Sequence, residues 1–90
     1  MINADEIFSK YENDVIKNIN KENMLKIIYF LEKENCDFID EIIENYLDLF
    51  TFNYDEFIYK YNKLNNKYNN NYLKEVSIDM NLLEEFYLDL

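Results

Sequence analysis

The chain has 90 residues with no Gly, no Pro and no His, and it sets 19 carboxylates against 9 basic residues, a net charge of −10. Every basic residue is Lys. Without His the commonest general acid–base group is missing, no Cys/His cluster can hold zinc, and without Gly neither a phosphate-cradling loop nor a calcium-loop turn has its usual parts.

The apolar fraction is 49%, with nine Tyr and seven Phe. Each such ring buries about 150–250 Å². That predicts one stable domain over residues 1–90, too short for two cores and needing no disulfide. The one cysteine, Cys36, excludes an internal disulfide and fits a reducing cytoplasm. Met1 to Glu6 is acidic where a signal peptide would be basic. No uncharged run exceeds six residues, against the roughly 20 of a membrane span.

Helical periodicity appears first at about 4–18, where Ile7, Phe8, Tyr11, Val15 and Ile19 share a stripe. A second helix is predicted over about 21–34, with Met24, Ile27, Ile28 and Leu31 inward, the most buried of the set. A third is predicted over about 38–50, with Phe38, Ile42, Tyr46 and Leu49 inward. A fourth covers about 54–68 through Tyr54, Phe57, Ile58, Tyr61, Leu64 and Tyr68. Asn69-Asn70-Asn71 reads as a turn, since short amides compete with helical backbone bonding. Short helices at about 72–79 and 82–88 close the chain. Leu49 to Tyr54 alternates loosely, and a short strand is the competing reading there.

With Gly and Pro absent, Asn is the punctuation. It can take left-handed backbone positions and cap helices. Asn3/Glu6, Asn53/Glu56 and Asn81/Glu84 have capping-box spacing and each opens a periodic segment. The expected fold class is all-α: a compact single-domain bundle of four longer and one or two short helices.

Charge is uneven. Residues 57–74 hold four Lys and no acid, while the segments on either side are strongly acidic. The sharpest feature is Asp37, Asp40, Glu41, Glu44 and Asp48, at spacings that place them on one face of a continuous helix. At about 1.5 Å rise per residue that is one charge per ~4 Å, close to a nucleic-acid strand. Glu32 and Glu34 would extend the patch upstream. The alternative is an ordinary solvated face. Lys60, Lys63 and Lys67, interleaved with Tyr59, Tyr61 and Tyr68, are expected to pair with this acidic helix, within the chain or across a homodimer. Cys36, at a helix start, has either a lowered thiol pKa or a plain place in a turn.

These features predict a binding protein, with no enzyme activity, no cofactor, no metal, no membrane contact and no direct contact with nucleic acid. Five of the commonest residue types here (Ile, Asn, Lys, Tyr, Phe) have AT-rich codons, which points to an AT-rich bacterium or a mobile element. In size, charge and lack of chemistry the chain is similar to DNA-mimic and anti-CRISPR inhibitors, with no motif that ties it to a family. The expected partner is a protein with a basic surface, such as a nucleic-acid-binding protein, held by Asp37, Asp40, Glu41, Glu44 and Asp48. The competing expectation is a helical interaction module, such as an adaptor, a homo-oligomer or an immunity protein. It would work through the apolar C-terminal residues Leu82, Leu83, Phe86, Tyr87, Leu88 and Leu90.

Overall fold

Among the described residues, the four α-helices and two 3-10 helices follow from where apolar periodicity persists and where Asn interrupts it. A computed structural model describes residues 19–88, and among them the protein is all-α with no strand. The predicted helix over 4–18 and the Asn3/Glu6 cap lie outside those residues. The chain divides into two units, one ending at Tyr54 and one beginning at Asp55.

In the first unit, α1 spans Lys21–Lys33. The Asn20 side chain accepts the Asn23 N–H at 3.0 Å, so an Asn caps this helix where no capping-box spacing marks it. Met24, Ile27, Ile28 and Leu31 are buried, the first three completely. Each such side chain contributes about 1.5–3 kcal/mol through burial. The helix ends in a Schellman turn. Asn35 donates to the Glu32 carbonyl and Cys36 to the Leu31 carbonyl, both at 3.0 Å, with Asn35 at φ 61°. Asn stands where Gly is usual.

The predicted third helix is two elements. α2 spans Ile39–Asn45 and a 3-10 helix spans Leu47–Thr51. Tyr46, at φ −138° and ψ 46°, breaks the run. At this end the Asn45 side-chain amide donates to the Glu41 carbonyl at 2.9 Å, and the Tyr46 N–H still reaches the Ile42 carbonyl at 2.7 Å. Asp40, Glu41 and Glu44 add like-charge repulsion within the same two turns. After the break, Leu49 and Phe50 are each 1% exposed. The stretch that also read as a strand is therefore 3-10 helix up to Thr51. It is anchored from α1, where the Asn23 side chain binds the backbone of Phe52 and Tyr54.

α3 spans Tyr54–Lys67, in the second unit from Asp55 on, and α4 spans Tyr72–Ile78 in the same unit. The Asn69-Asn70-Asn71 turn forms as expected, with Asn69 and Asn70 at φ 57° and 66°. Asn70 donates to the Asn65 carbonyl at 2.7 Å and Asn69 to Asn66 at 3.3 Å, a second Schellman turn without Gly. The side chain of Asn65 then accepts the Tyr72 N–H at 3.1 Å, capping α4 from the preceding helix.

The sixth predicted helix begins earlier and is a 3-10 helix, Met80–Tyr87. Asp79 is its cap, accepting the Asn81 N–H at 3.1 Å. The Asn81/Glu84 spacing therefore does not form the capping box, because Asn81 is already inside the element.

Tyr72 organises this unit. It is fully buried, and its hydroxyl donates to the Leu82 carbonyl at 2.9 Å. Its ring lies 5.9 Å from Phe86, which stacks on Phe57 at 4.9 Å. Tyr61 meets it edge-on at 6.2 Å. Offset and edge-to-face pairs of this kind add about 0.5–1.5 kcal/mol beyond burial.

Candidate functional site

The acidic segment is built on α2. Ile39, Ile42 and Ile43 are buried, so α2 has one inward face, and Asp40, Glu41 and Glu44 occupy the exposed remainder. Asp40 and Glu41 sit in the first turn, where carboxylates favour the helix dipole. Glu44 is at the opposite end, where the dipole opposes it. Asp37 lies in the turn before α2, and Asp48 lies beyond the Tyr46 break, on the 3-10 helix.

All five predicted carboxylates are exposed. They do not share one helix face: three belong to α2, Asp37 to the turn before it and Asp48 to the 3-10 helix after it. The straight ladder of charges expected from a continuous helix is therefore replaced by a bent one. Thr51 Oγ1 donates to the Asp48 carbonyl at 2.5 Å and pins the far end of that bend.

Upstream, the extension is partial. Glu34 is exposed, but Glu32 is half-buried and its Oε1 is buried without a hydrogen-bond partner. Such an orphan acceptor costs about 1–3 kcal/mol, a defect no spacing rule would show. Among the described residues, no group of three or more acidic or cysteine side chains is arranged to hold a metal ion. No described helix is long and apolar enough to cross a membrane.

Cys36 sits in the α1–α2 turn at 8% exposure. Burial, reinforced by the nearby Asp37 and Glu41 charges, outweighs a backbone hydrogen bond and pushes its thiol up to about 11. The turn position is the correct reading, and the lowered pKa is not.

The lysines of α3 make contacts outside the acidic segment. Lys67 Nζ meets Glu85 Oε1 at 2.6 Å, and the Tyr68 hydroxyl donates to Glu85 Oε2 at 2.6 Å. Lys60 Nζ donates to the Leu88 carbonyl at 3.2 Å. Lys63 Nζ lies 5.3 Å from the Tyr59 ring centroid. Within the chain, Lys67 thus pairs with an acid close in space on the last helix. Burial pushes the Glu85 carboxyl up, but the hydrogen bonds from Lys67 and Tyr68 together hold it below the usual carboxylate range.

No family model, curated protein or solved structure matches the chain.

The C-terminal apolar run is divided. Leu83 and Phe86 are buried in the second unit, Leu82 is half-buried, and Tyr87 and Leu88 are 43% and 57% exposed. Leu90 lies outside the described residues. A further feature that no motif announced is an open polar groove of about 380 Å³ in the first unit, lined by Asn20, Glu22, Asn23, Lys26, Phe50 and Asn53 among others. None of the five carboxylates lines it.

Proposed function

We propose that this protein is a small acidic binding protein, of phage or mobile-element type, that blocks a nucleic-acid-binding protein by occupying its basic surface. The observation that carries the reading is the exposure of all five carboxylates, Asp37, Asp40, Glu41, Glu44 and Asp48, over a buried Ile face that fixes their direction. Carboxylates so placed take the positions of phosphates against Lys and Arg, each pair being a charge-assisted hydrogen bond. The bend at Tyr46 sets their arrangement, so a partner's cations must match a curved run. The reading is non-enzymatic and acts by competition.

The test is neutralisation of Asp40, Glu41, Glu44 and Asp48 together to Asn or Gln, with capture from the native host read at low and high salt. Capture of a nucleic-acid-binding protein should weaken at least ~10-fold, since exposed pairs contribute up to about 1 kcal/mol each. Its salt dependence should flatten. A folded quadruple variant with unchanged affinity and salt response overturns the reading.

A second reading, a helical interaction module, is favoured by the exposed Tyr87 and Leu88. Under it, Leu88→Asp abolishes capture and the carboxylate variant does not.

A further inference from the structure

We propose that the 3-10 helix Met80–Tyr87 is a two-state element, held in its 3-10 form by side chains from residues 60–72 and converting to α-helix when the hold on Glu85 is released. Runs of 3-10 helix beyond about three or four residues are uncommon, because their hydrogen-bond geometry is poorer than that of an α-helix. This one has eight residues. Its composition favours the other form: Met80, Leu82, Leu83, Glu84 and Glu85 are all strong α-formers. Packing explains the choice. From Asn81 to Tyr87, exposed, half-buried and buried residues recur in threes. Asn81, Glu84 and Tyr87 are exposed, Leu82 and Glu85 are half-buried, and Leu83 and Phe86 are buried. That is the repeat of a helix with about three residues per turn rather than about 3.6.

The tethers share that repeat. The Tyr72 hydroxyl donates to the Leu82 carbonyl at 2.9 Å, Lys67 and Tyr68 each donate to the Glu85 carboxylate at 2.6 Å, and Lys60 donates to the Leu88 carbonyl at 3.2 Å. Positions 82, 85 and 88 lie on one ridge of a 3-10 helix. In an α-helix, positions 82 and 88 would stand roughly 120° apart. Eight residues would also shorten from about 16 Å to about 12 Å. The α form therefore cannot keep all three tethers. Leu83 and Phe86 share a face in either form, so the apolar seat survives conversion. Glu85 is the middle tether and an ion pair. Acid reaches it. Lys67 and Tyr68 face its carboxyl, Glu75 of α4 acts on Tyr68, and Glu84 precedes it on its own element. Burial raises the carboxyl, but the hydrogen bonds from Lys67 and Tyr68 hold it below the usual range. The tether is thus intact above the ordinary pKa of about 4.3 and is released as pH falls through the lower folded value. Conversion splays the Asn81, Glu84 and Tyr87 ridge, so the C-terminal surface has two shapes.

The experiment is nuclear magnetic resonance of the full chain, read through proton contacts within the segment. Contacts between residues i and i+2 mark the 3-10 form, and contacts between i and i+4 mark the α form. At neutral pH the parent should show the first set over residues 80–87. Glu85→Ala should lose that set and gain the second. Glu84→Ala makes the same change of composition on the exposed ridge, and it should stay 3-10. Lowering the pH of the parent through the Glu85 transition should reproduce the Glu85→Ala result, and the same titration of Glu85→Ala should add no further conversion. If circular dichroism shows Glu85→Ala to be unfolded, Lys67→Met loosens the tether from the other side and should shift the segment in the same direction. Four results overturn the proposal: a parent already α-helical at neutral pH, a released variant that stays 3-10, a segment that loses both sets of contacts, or equal conversion in Glu84→Ala.

Discussion

Asn23 and Tyr54, 31 positions apart, are joined by a side chain: Asn23 Oδ1 accepts the Tyr54 N–H at 2.8 Å. The Nδ2 of the same amide donates to the Phe52 carbonyl at 2.6 Å. One carboxamide thus supplies the donor and acceptor that a neighbouring strand would offer to residues 52–54. Asn23→Ala should cost about 2–3 kcal/mol, two hydrogen bonds and the backbone groups they leave behind. Urea denaturation measures it. Asn23→Asp should not rescue, because a carboxylate cannot donate to Phe52. A loss below ~0.5 kcal/mol for Asn23→Ala would show that the amide does not hold this loop.

Tyr72 separates packing from polarity. Tyr72→Phe keeps the ring and leaves the Leu82 carbonyl without its donor, so about 1 kcal/mol should be lost. Tyr72→Ala opens a cavity beneath Phe86 and should cost about 3–5 kcal/mol. Comparable losses for the two would place the stabilisation in the hydroxyl.

The left-handed Asn residues at 35 and 69 make a backbone prediction. Asn35→Ala or Asn69→Ala should destabilise by about 1 kcal/mol, the cost of a Cβ in the left-handed region. Asn→Gly at either site should lie within about 0.5 kcal/mol of the parent, since Gly fits the turn but gains entropy when unfolded. Thermal melts of the four variants rank them. Ala equal to Gly would mean the turns relax to another conformation.

Glu85 gives the pH dependence. Its folded pKa is depressed, with Lys67 and Tyr68 outweighing burial. A depressed carboxyl contributes stability that is present above its ordinary pKa, about 4.3, and is lost as pH falls through the lower folded value. Glu85→Gln should therefore flatten the acid limb of a stability–pH curve and leave its neutral limb parallel to the parent. An unchanged acid limb would assign the acid response to other carboxylates.

Cys36 should be inert while the chain is folded. Its thiol, pushed up to about 11, is almost wholly protonated at neutral pH, and it is buried. Modification by a thiol reagent should proceed only at the rate of local or global opening and accelerate sharply in denaturant. Rapid labelling of the native protein would contradict the burial.

Much of the fold was legible. Met24, Ile27, Ile28 and Leu31 announced α1, and the Tyr54-to-Leu64 stripe announced α3, because apolar period is a local property. The Asn69–Asn71 turn was legible from amide chemistry alone. The break at Tyr46 was not, because the apolar stripe runs through it undisturbed and the Asn45–Glu41 contact leaves no pattern. Caps supplied from a distance, Asn65 to Tyr72 and Asn23 to Tyr54, are tertiary facts that local spacing does not encode. At the acidic segment, exposure followed from charge, but collinearity depended on the backbone angles of one residue. The partners of Lys67 were missed because Glu85 lies 18 positions away.

The chain has no Trp, and both buried tyrosines among the described residues, Tyr61 and Tyr72, belong to the unit that begins at Asp55. Among the described residues, the buried face of the other unit is mostly Ile, Leu and Met. Near-ultraviolet dichroism therefore reports strongly on the packing of Tyr61 and Tyr72, while the far-ultraviolet signal reports on helix throughout. Melting followed at the two wavelengths becomes a cooperativity gauge that needs no label. Coincident curves mean that the halves unfold as one, and a lag between them means that the aliphatic half has a melting point of its own.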